Sequence, residues 1–91
     1  MGVIMKNNLT VVILTKNEEK TIRQVIQNAQ NCADNVLIID SGSTDKTVEF
    51  AKSCGAKVVC RAWDNDFAAQ RNFALQHVTT PWVLYLDADE F

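Results

Sequence analysis

The chain of 91 residues has only three glycines and one proline, which excludes a collagen-like or a Gly/Pro-rich low-complexity protein. It contains neither Gly-x-Gly-x-x-Gly nor Gly-x-x-x-x-Gly-Lys-Ser/Thr, so the sequence supports neither dinucleotide binding nor an NTPase-type phosphate-binding loop. The net charge is −2 and there is no basic patch, which argues against nucleic acid as the main partner. We therefore expect one small globular domain over residues 1–91.

Long apolar runs are also missing. No segment approaches the ~20 apolar residues of a membrane span, and the apolar stretch within residues 1–5 is too short for a signal peptide. Cys32, Cys54 and Cys60 are odd in number and share no Cys-x-x-Cys spacing, so we expect buried or half-buried thiols of a reducing compartment. The expected location is the cytoplasm, although another part of the parent protein could attach to the inner face of a membrane.

What the chain does have is a regular alternation of apolar runs and amphipathic patterns. Branched and aromatic runs predict strands at residues 9–14, 36–39, 57–60 and 82–86. Amphipathic patterns predict helices at about 18–30 and 45–53, and a third helix that begins after residue 66 and is broken at residues 79–81. Such alternation is typical of a parallel sheet with right-handed crossovers. The predicted fold is α/β, a Rossmann-like three-layer α/β/α arrangement whose parallel four-stranded sheet has the order 3-2-1-4.

Particular residues are expected to end the helices. Ser43 or Thr44 could cap the second helix, and Gly55 suits the left-handed position after it. Asp66 could cap the third helix. His77, the single histidine, is expected at a helix end or on the surface, and no Ser/His/Asp arrangement is supported.

An acidic group follows the fourth predicted strand, as Asp87-Ala88-Asp89-Glu90. In extended backbone the side chains of Asp87 and Asp89 point to the same side, where two like charges repel unless a cation lies between them. Mg²⁺ or Mn²⁺ would suit such oxygen ligands and commonly carries a substrate's phosphates. Alternatively, the acidic residues serve only as turn formers at a wet strand end.

In an open parallel sheet a ligand binds beyond the carboxyl ends of the strands, where the strand order reverses. The predicted order would bring residues 15–18, 40–42 and 87–89 to this edge. Asp40 could accept a hydrogen bond from a ribose hydroxyl or a base N–H, or could be an ordinary turn residue. Glu18 could contact the same nucleoside or merely complement the positive end of the first helix.

Arg71 is predicted to share one face of the third helix with Phe67 and Ala74, where an apolar residue would be expected. Its guanidinium therefore needs a partner. The alternatives are an ion pair with Asp40 or Asp64, and contact with a diphosphate or nucleoside in the crevice.

Four segments, at residues 9–18, 39–47, 67–72 and 84–90, resemble in order and spacing the family 2 glycosyltransferases of the GT-A fold, most closely the bacterial lipopolysaccharide core β-glucosyltransferases. The resemblance implies the N-terminal half of that fold, a UDP-sugar donor held through Mg²⁺ or Mn²⁺, and transfer of a hexose to an acceptor hydroxyl. It implies a glycan or lipid-linked acceptor in the synthesis of lipopolysaccharide or another cell-envelope glycan.

The resemblance also implies residue roles. Glu18 and Asp40 would hold the uridine, Arg71 would assist the nucleoside or diphosphate, and Asp87 would face the ribose while Asp89 binds the metal. The full predicted nucleotide-sugar set is Thr15, Asn17, Glu18, Asp40, Ser41, Gly42, Arg71 and Asp87, and the predicted metal ligands are Asp89 and Asp87.

Family members continue past the Asp-x-Asp motif, and their later half supplies the acceptor site and the general base. We therefore interpret the sequence as a donor-binding half, truncated after the motif, with its catalytic base beyond residue 91 and no transfer activity alone. The exposed fourth strand predicts a homodimer or an aggregate. The alternatives are a nucleotide-binding fragment without turnover and a stand-alone α/β nucleotide-binding or receiver-like module. A receiver would place an acidic pair after strand one, where this chain has Thr15-Lys16-Asn17-Glu18.

Overall fold

The computed structural model of the chain describes residues 5–87. A short 3-10 turn at Lys6–Asn8 leads into strands and helices that alternate along the chain. The elements are β1 (Leu9–Thr15), α1 (Ile22–Gln30), β2 (Asn35–Asp40), α2 (Thr47–Ser53), β3 (Lys57–Cys60), α3 (Phe67–Leu75) and β4 (Trp82–Asp87).

The four strands within residues 5–87 form one parallel sheet with the order β3-β2-β1-β4. In the register of this sheet, Thr15 of β1 lies opposite Asp40 of β2, and Leu14 of β1 lies opposite Asp87 of β4. The carboxyl ends of the three strands β2, β1 and β4 are therefore level with one another. The predicted fold class and strand order are confirmed.

Helices cover both faces of the sheet, so the central strands β1 and β2 are apolar on both sides. One core packs the inner faces of α1 and α2 against the sheet, through Val11, Ile13, Ile22, Val25, Ile26, Ala29, Ala33, Val36, Ile38, Ala51 and Ala56. The other core lies under α3 and contains Val12, Leu37, Ile39 and Ala74. No helix within residues 5–87 is long and apolar enough to cross a bilayer.

The first two helices begin later than the sequence predicts. Residues 18–21 form a turn in which the carbonyl oxygen of Glu18 accepts hydrogen bonds from the N–H groups of Thr21 and Ile22. Neither Ser43 nor Thr44 caps α2; instead Asp45 Oδ1 accepts the N–H of Thr47 at 2.9 Å. The expectation for these two caps was therefore wrong.

Two other predicted helix signals are confirmed. Gly55 has φ +87° just after α2, where the left-handed conformation costs glycine little. Asp66 caps α3, since its Oδ1 accepts the N–H of Ala69 at 3.0 Å.

The cysteines differ in part from the expectation. All three are free, and Cys54 is half-buried as expected, but Cys32 and Cys60 are exposed. Cys32 lies in the turn after α1, and Cys60 ends β3, which is at an edge of the sheet. His77 lies just past α3, half-buried, with its ring edge-on to Phe73 at 5.1 Å between centroids.

Candidate functional site

The loops that follow β1, β2 and β3 meet at the carboxyl edge of the sheet. Two backbone hydrogen bonds extend the parallel pairing past the strand ends, from Ser41 N–H to the Thr15 carbonyl at 3.0 Å and from Arg61 N–H to the Asp40 carbonyl at 2.9 Å. These bonds hold the first residue of each loop beside its neighbour. The edge therefore forms one continuous surface rather than separate loops.

Asp40 is buried beneath this surface and holds its loops in place. Its side chain is only 1% exposed, and both carboxylate oxygens are used within the protein. Oδ1 accepts the hydroxyls of Thr15 at 2.7 Å and Ser43 at 2.6 Å, and Oδ2 accepts the N–H groups of Gly42 at 3.0 Å and Ser43 at 2.7 Å. Asp40 therefore acts as a turn residue, because it bonds to Gly42 and Ser43 in the loop that follows it. A direct contact between its carboxylate and a nucleoside would require one of these hydrogen bonds to break.

The charge of Asp40 is maintained by the same contacts. Burial alone would raise the pKa of Asp40, but the hydrogen bonds from Ser43, Thr15 and Gly42 together outweigh it and hold the pKa below its ordinary value. The carboxylate is therefore ionised at neutral pH. Thr15, which is 3% exposed and donates to Asp40, also supports the loop from behind.

Asn17 joins the loop after β1 to the loop after β2. It adopts the left-handed conformation, with φ 53°, which asparagine tolerates better than most residues. Its N–H donates to Ser43 Oγ at 2.8 Å, and its Oδ1 accepts the N–H groups of Thr44 at 2.8 Å and Asp45 at 3.4 Å. The side chain of Asn17 is thus a structural link between the loops.

Lys16, Glu18, Ser41 and Gly42 form the rim of this edge. Lys16 is exposed and its ammonium lies 3.3 Å from the Gly42 carbonyl oxygen. Glu18 and Ser41 are half-buried, and the N–H of Glu18 is fixed by Thr47 Oγ1 at 2.7 Å. Gly42 has φ +103°, which aims the loop back toward Asp40. The rim therefore carries a carboxylate, a hydroxyl and an ammonium group.

Arg71 lies on α3 but not on its buried face, contrary to the expectation. Its side chain is exposed and its guanidinium carbon lies 5.7 Å from the ring centroid of Tyr85 in β4. The expected partners are otherwise engaged, since Asp64 pairs with Arg61 at 2.8 Å and Asp40 is enclosed by its own loop. Arg71 is therefore placed over β4, the strand that ends at Asp87.

Two residues of this region were not predicted from the sequence. Gln70 is 0% exposed, and its side-chain oxygen accepts from Arg61 Nη1 at 2.8 Å while its Nε2 donates to Ser41 Oγ at 3.4 Å. Gln70 precedes the buried Ala74 by four residues, and Arg61 directly follows β3. Both signals were present in the sequence, because i and i+4 share a helix face and a residue after a parallel strand lies at the binding edge.

The acidic segment follows β4. The backbone of Asp87 is paired beside Leu14, directly next to the end of β1. The side chain of Asp87 and the whole of Asp89 lie outside the described residues, so the predicted metal ligands stay a prediction. Within residues 5–87 no three His, Cys, Asp or Glu side chains are grouped so as to hold a metal ion.

A cleft of about 240 Å³ lies at the opposite, amino-terminal edge of the sheet. It is lined by Thr10, Asp34, Asn35, Val36, Leu37, Gly55, Lys57, His77 and Thr79. None of the predicted nucleotide-binding residues lines it, so the carboxyl edge remains the candidate site.

Comparison with known proteins identifies the family. Residues 10–91 match the model of glycosyl transferase family 2. A protein of Rickettsia bellii named as an uncharacterized glycosyltransferase is 41% identical over 90 residues, which is 99% of this chain and 30% of that protein. The glycosyltransferase SunS of Bacillus subtilis is 31% identical, over 89% of this chain and 20% of its own length.

Solved structures agree with this match. Glucosyl-3-phosphoglycerate synthase from Mycobacterium tuberculosis, in complex with Mn²⁺, UDP and glucosyl-3-phosphoglycerate, superposes with a TM-score of 0.78 at 28% identity, over 91% of this chain and 34% of that one. The same enzyme in complex with UDP superposes with a TM-score of 0.80. The chain thus spans about a third or less of the length of these relatives. It belongs to glycosyl transferase family 2, and its fold matches the Rossmann-like N-terminal half of a GT-A enzyme.

Proposed function

We propose that the chain is the donor-binding half of a family 2 hexosyltransferase, and that it binds a UDP-sugar through Mg²⁺ or Mn²⁺ at the carboxyl edge of its sheet. One observation carries the proposal. The loops at residues 15–18 and 41–42 and the end of β4 meet at that edge, in a fold shared with an enzyme whose structures hold UDP and Mn²⁺.

Some residues of the edge fix the shape of the loops, and others would contact the nucleotide. Thr15, Asn17 and Asp40 are engaged in fixing the loops, so they act on the nucleotide by holding its site in shape. Glu18 and Ser41, together with the backbone of Gly42, are the groups on the rim that would contact the uridine.

The diphosphate would lie closer to β4. The forked guanidinium of Arg71, held above Tyr85, would donate to its oxygens. Asp87 and Asp89 would hold the metal, since carboxylate oxygens at a strand end are the ligands that Mg²⁺ and Mn²⁺ prefer. A metal bound there would act as a Lewis acid that stabilises the departing UDP.

The acceptor side of the reaction belongs to the rest of the parent protein. We propose an acceptor hydroxyl on a glycan or lipid-linked molecule, deprotonated by a base that lies outside this chain, in cell-envelope glycan synthesis at the cytoplasmic face of the membrane. The resemblance to lipopolysaccharide core glucosyltransferases supports this choice. On this proposal the chain alone binds the donor without transferring its sugar.

Titration calorimetry of the chain with UDP tests the donor site. In the presence of Mn²⁺ we expect saturable UDP binding that weakens at least about tenfold when EDTA removes the metal, because the diphosphate loses its bridging cation. UMP, which lacks the second phosphate, should show little metal dependence. Binding of UDP that is equally strong with and without Mn²⁺, or no binding at all, would contradict the proposal.

We also propose that the chain self-associates through β4. This strand is at the edge of the sheet formed by residues 5–87, and Trp82 and Leu84 are 49% and 44% exposed on it. Sedimentation velocity at high micromolar concentration should show a dimer or larger species, and Leu84→Lys should shift the distribution toward monomer. A wild-type chain that sediments as a single monomeric species would exclude this association.

A further inference from the structure

Gln70 is a fully buried amide directly beside the candidate nucleotide site. It lies in the first turns of α3, is 0% exposed, and bridges Arg61 after β3 to Ser41 after β2. A buried amide is costly unless both its oxygen and its NH₂ group find partners. The two contacts satisfy one of each, so Gln70 is held between the two loops.

The orientation of this amide follows from chemistry as well as from the coordinates. A guanidinium group has only donors, so the atom of Gln70 that lies 2.8 Å from Arg61 Nη1 must be the oxygen. The NH₂ group must then face Ser41 Oγ, 3.4 Å away. Such a long contact can shorten when a ligand orders the site.

Arg61 is itself held in place. Its Nη2 lies 2.8 Å from Asp64 Oδ2 and its Nη1 lies 3.4 Å from Oδ1 of the same carboxylate. The hydrogen bond and the charge of Arg61 keep the pKa of Asp64 below its ordinary value, so this carboxyl is ionised at neutral pH. The guanidinium carbon lies 5.8 Å from the ring centroid of Phe73, and the backbone N–H donates to the Asp40 carbonyl. The side-chain amide of Gln70 therefore has little freedom to exchange the positions of its oxygen and its NH₂ group.

These contacts determine where the hydroxyl of Ser41 can donate its proton. Because Gln70 donates to its oxygen, Ser41 cannot direct its own proton at Gln70 and is left to donate elsewhere. The neighbouring hydroxyls of Thr15 and Ser43 both donate to Asp40, so neither competes with Gln70 as a donor to Ser41. Ser41 is half-buried on the rim, where its proton can face the crevice.

We infer that Gln70, oriented by Arg61, is a positioning residue that makes Ser41 a hydrogen-bond donor toward the nucleobase and so favours a pyrimidine carbonyl over an amino group. The inference rests on the proposed function, because it concerns the base of the nucleotide bound at this edge. Uracil carries a carbonyl oxygen at the position where cytosine carries an amine. The arrangement therefore predicts selection of UDP over CDP.

Gln70→Glu tests this selection. The substitution keeps the shape and keeps an oxygen for Arg61, but its second oxygen can only accept, so Ser41 would turn its proton inward. In calorimetry with Mn²⁺ we expect the ratio of UDP to CDP affinity to fall about five- to tenfold, the value of one hydrogen bond. Ser41→Ala should lower the ratio similarly, and adding Gln70→Glu to it should change little further.

Matched variants separate positioning from mere stability. Gln76→Glu introduces the same charge at the other end of α3, on an exposed residue, and should leave the ratio unchanged. Arg61→Lys retains a donor for the Gln70 oxygen and should preserve most of the ratio, whereas Arg61→Met should lower it. Circular dichroism checks that each variant is folded, and Arg61→Met serves as the test if Gln70→Glu does not fold.

The outcomes distinguish the two proposals. A wild-type chain that binds UDP, with a Gln70→Glu variant that weakens UDP and CDP equally or leaves both unchanged, overturns the positioning role while the donor site stands. A wild-type chain that binds neither nucleotide overturns the proposed function, and the positioning role with it. A fall in the ratio in Gln70→Glu but not in Gln76→Glu supports the inference.

Discussion

Asp40→Asn is expected to lower the free energy of unfolding by about 2–4 kcal/mol, because it places an NH₂ group where a buried carboxylate now accepts four hydrogen bonds. The donors are Thr15 at the end of β1 and Gly42 and Ser43 in the loop after β2. At least one donor would face another donor after the substitution. Urea denaturation followed by circular dichroism at pH 7 measures the change.

A pH series adds a second test of the same group. The pKa of Asp40 is lower in the folded chain than the ordinary value near 4, so the unfolded chain binds the proton more readily. The stabilisation from its charge is therefore fully present above about pH 4 and is lost as the pH falls through the folded-state pKa. Asp40→Asn should lose this part of the acid sensitivity.

Asp34→Asn is the matched control for Asp40. The side chain of Asp34 is exposed, so the same substitution should change stability by no more than about 0.5 kcal/mol. An Asp40→Asn variant as stable as the wild type at pH 7 would contradict the anchoring role. It would also remove the reason for the fixed geometry of Ser41 and Gly42.

Asp89→Ala is expected to abolish the metal dependence of UDP binding. If Asp89 supplies a metal ligand, its loss should weaken UDP binding in the presence of Mn²⁺ by at least about tenfold, since even residues that only support metal ligands contribute 10–100-fold. UDP affinity should then equal that of the wild type in EDTA. Calorimetry with and without Mn²⁺ gives both values.

Asp34→Ala provides the control for this experiment as well. It removes an acidic charge at the amino-terminal edge of the sheet, beside the cleft and away from the proposed metal, and should leave the metal dependence intact. Asp87→Ala should resemble Asp89→Ala in direction. Retention of wild-type metal dependence in Asp89→Ala would refute the Asp-x-Asp metal site.

The sheet could be predicted because its signals are local and strong. The apolar runs at residues 11–14 of β1 and 36–39 of β2 are uninterrupted, as expected of strands buried on both faces, and helical patterns separate them. The order 3-2-1-4 followed from the usual position of a switch point in such sheets. The observed register then brings Asp40 level with Thr15 and Asp87 level with the adjacent Leu14.

The starts of α1 and α2 could not be predicted, because contacts distant in sequence decide them. The N–H groups of Glu18 and Glu19 bond to Thr47 and Asp45, respectively, 29 and 26 residues away. These bonds hold residues 18–21 in a turn instead of a first helical turn. A pattern of apolar spacing carries no information about such partners.

The face of α3 was misjudged by one residue. Gln70 and Arg71 are both polar, and the helical pattern predicts Arg71 rather than Gln70 on the buried face. In the structure the shorter amide of Gln70 is enclosed, where it meets Arg61 and Ser41, while Arg71 extends outward over Tyr85. Neither partner of Gln70 is near it in sequence, so only the packing of α3 on β2 and β3 reveals the link.

The role of Thr15, Asn17 and Asp40 in fixing the loops was likewise hidden from the sequence. Their position at the strand ends predicts Thr15, Asn17 and Asp40 as nucleotide ligands together with Glu18 and Ser41. In the structure, the polar groups of the first three residues form hydrogen bonds within the loops and strand ends themselves. A motif fixes which residues meet at an edge, but the direction of each hydrogen bond decides which of them can face a ligand.

Paramagnetic broadening of amide signals tests the central proposal most directly, namely that the carboxyl edge of the sheet holds a metal-bound UDP. With the ¹⁵N-labelled chain, UDP and a small amount of Mn²⁺, we predict broadening at Lys16, Ser41 and Gly42 and sharp signals at Asp34 and Lys57 on the opposite edge. The same titration with Mg²⁺, which is diamagnetic, should shift the first set without broadening it. Broadening centred on the opposite edge, or spread evenly over the chain, would contradict the account.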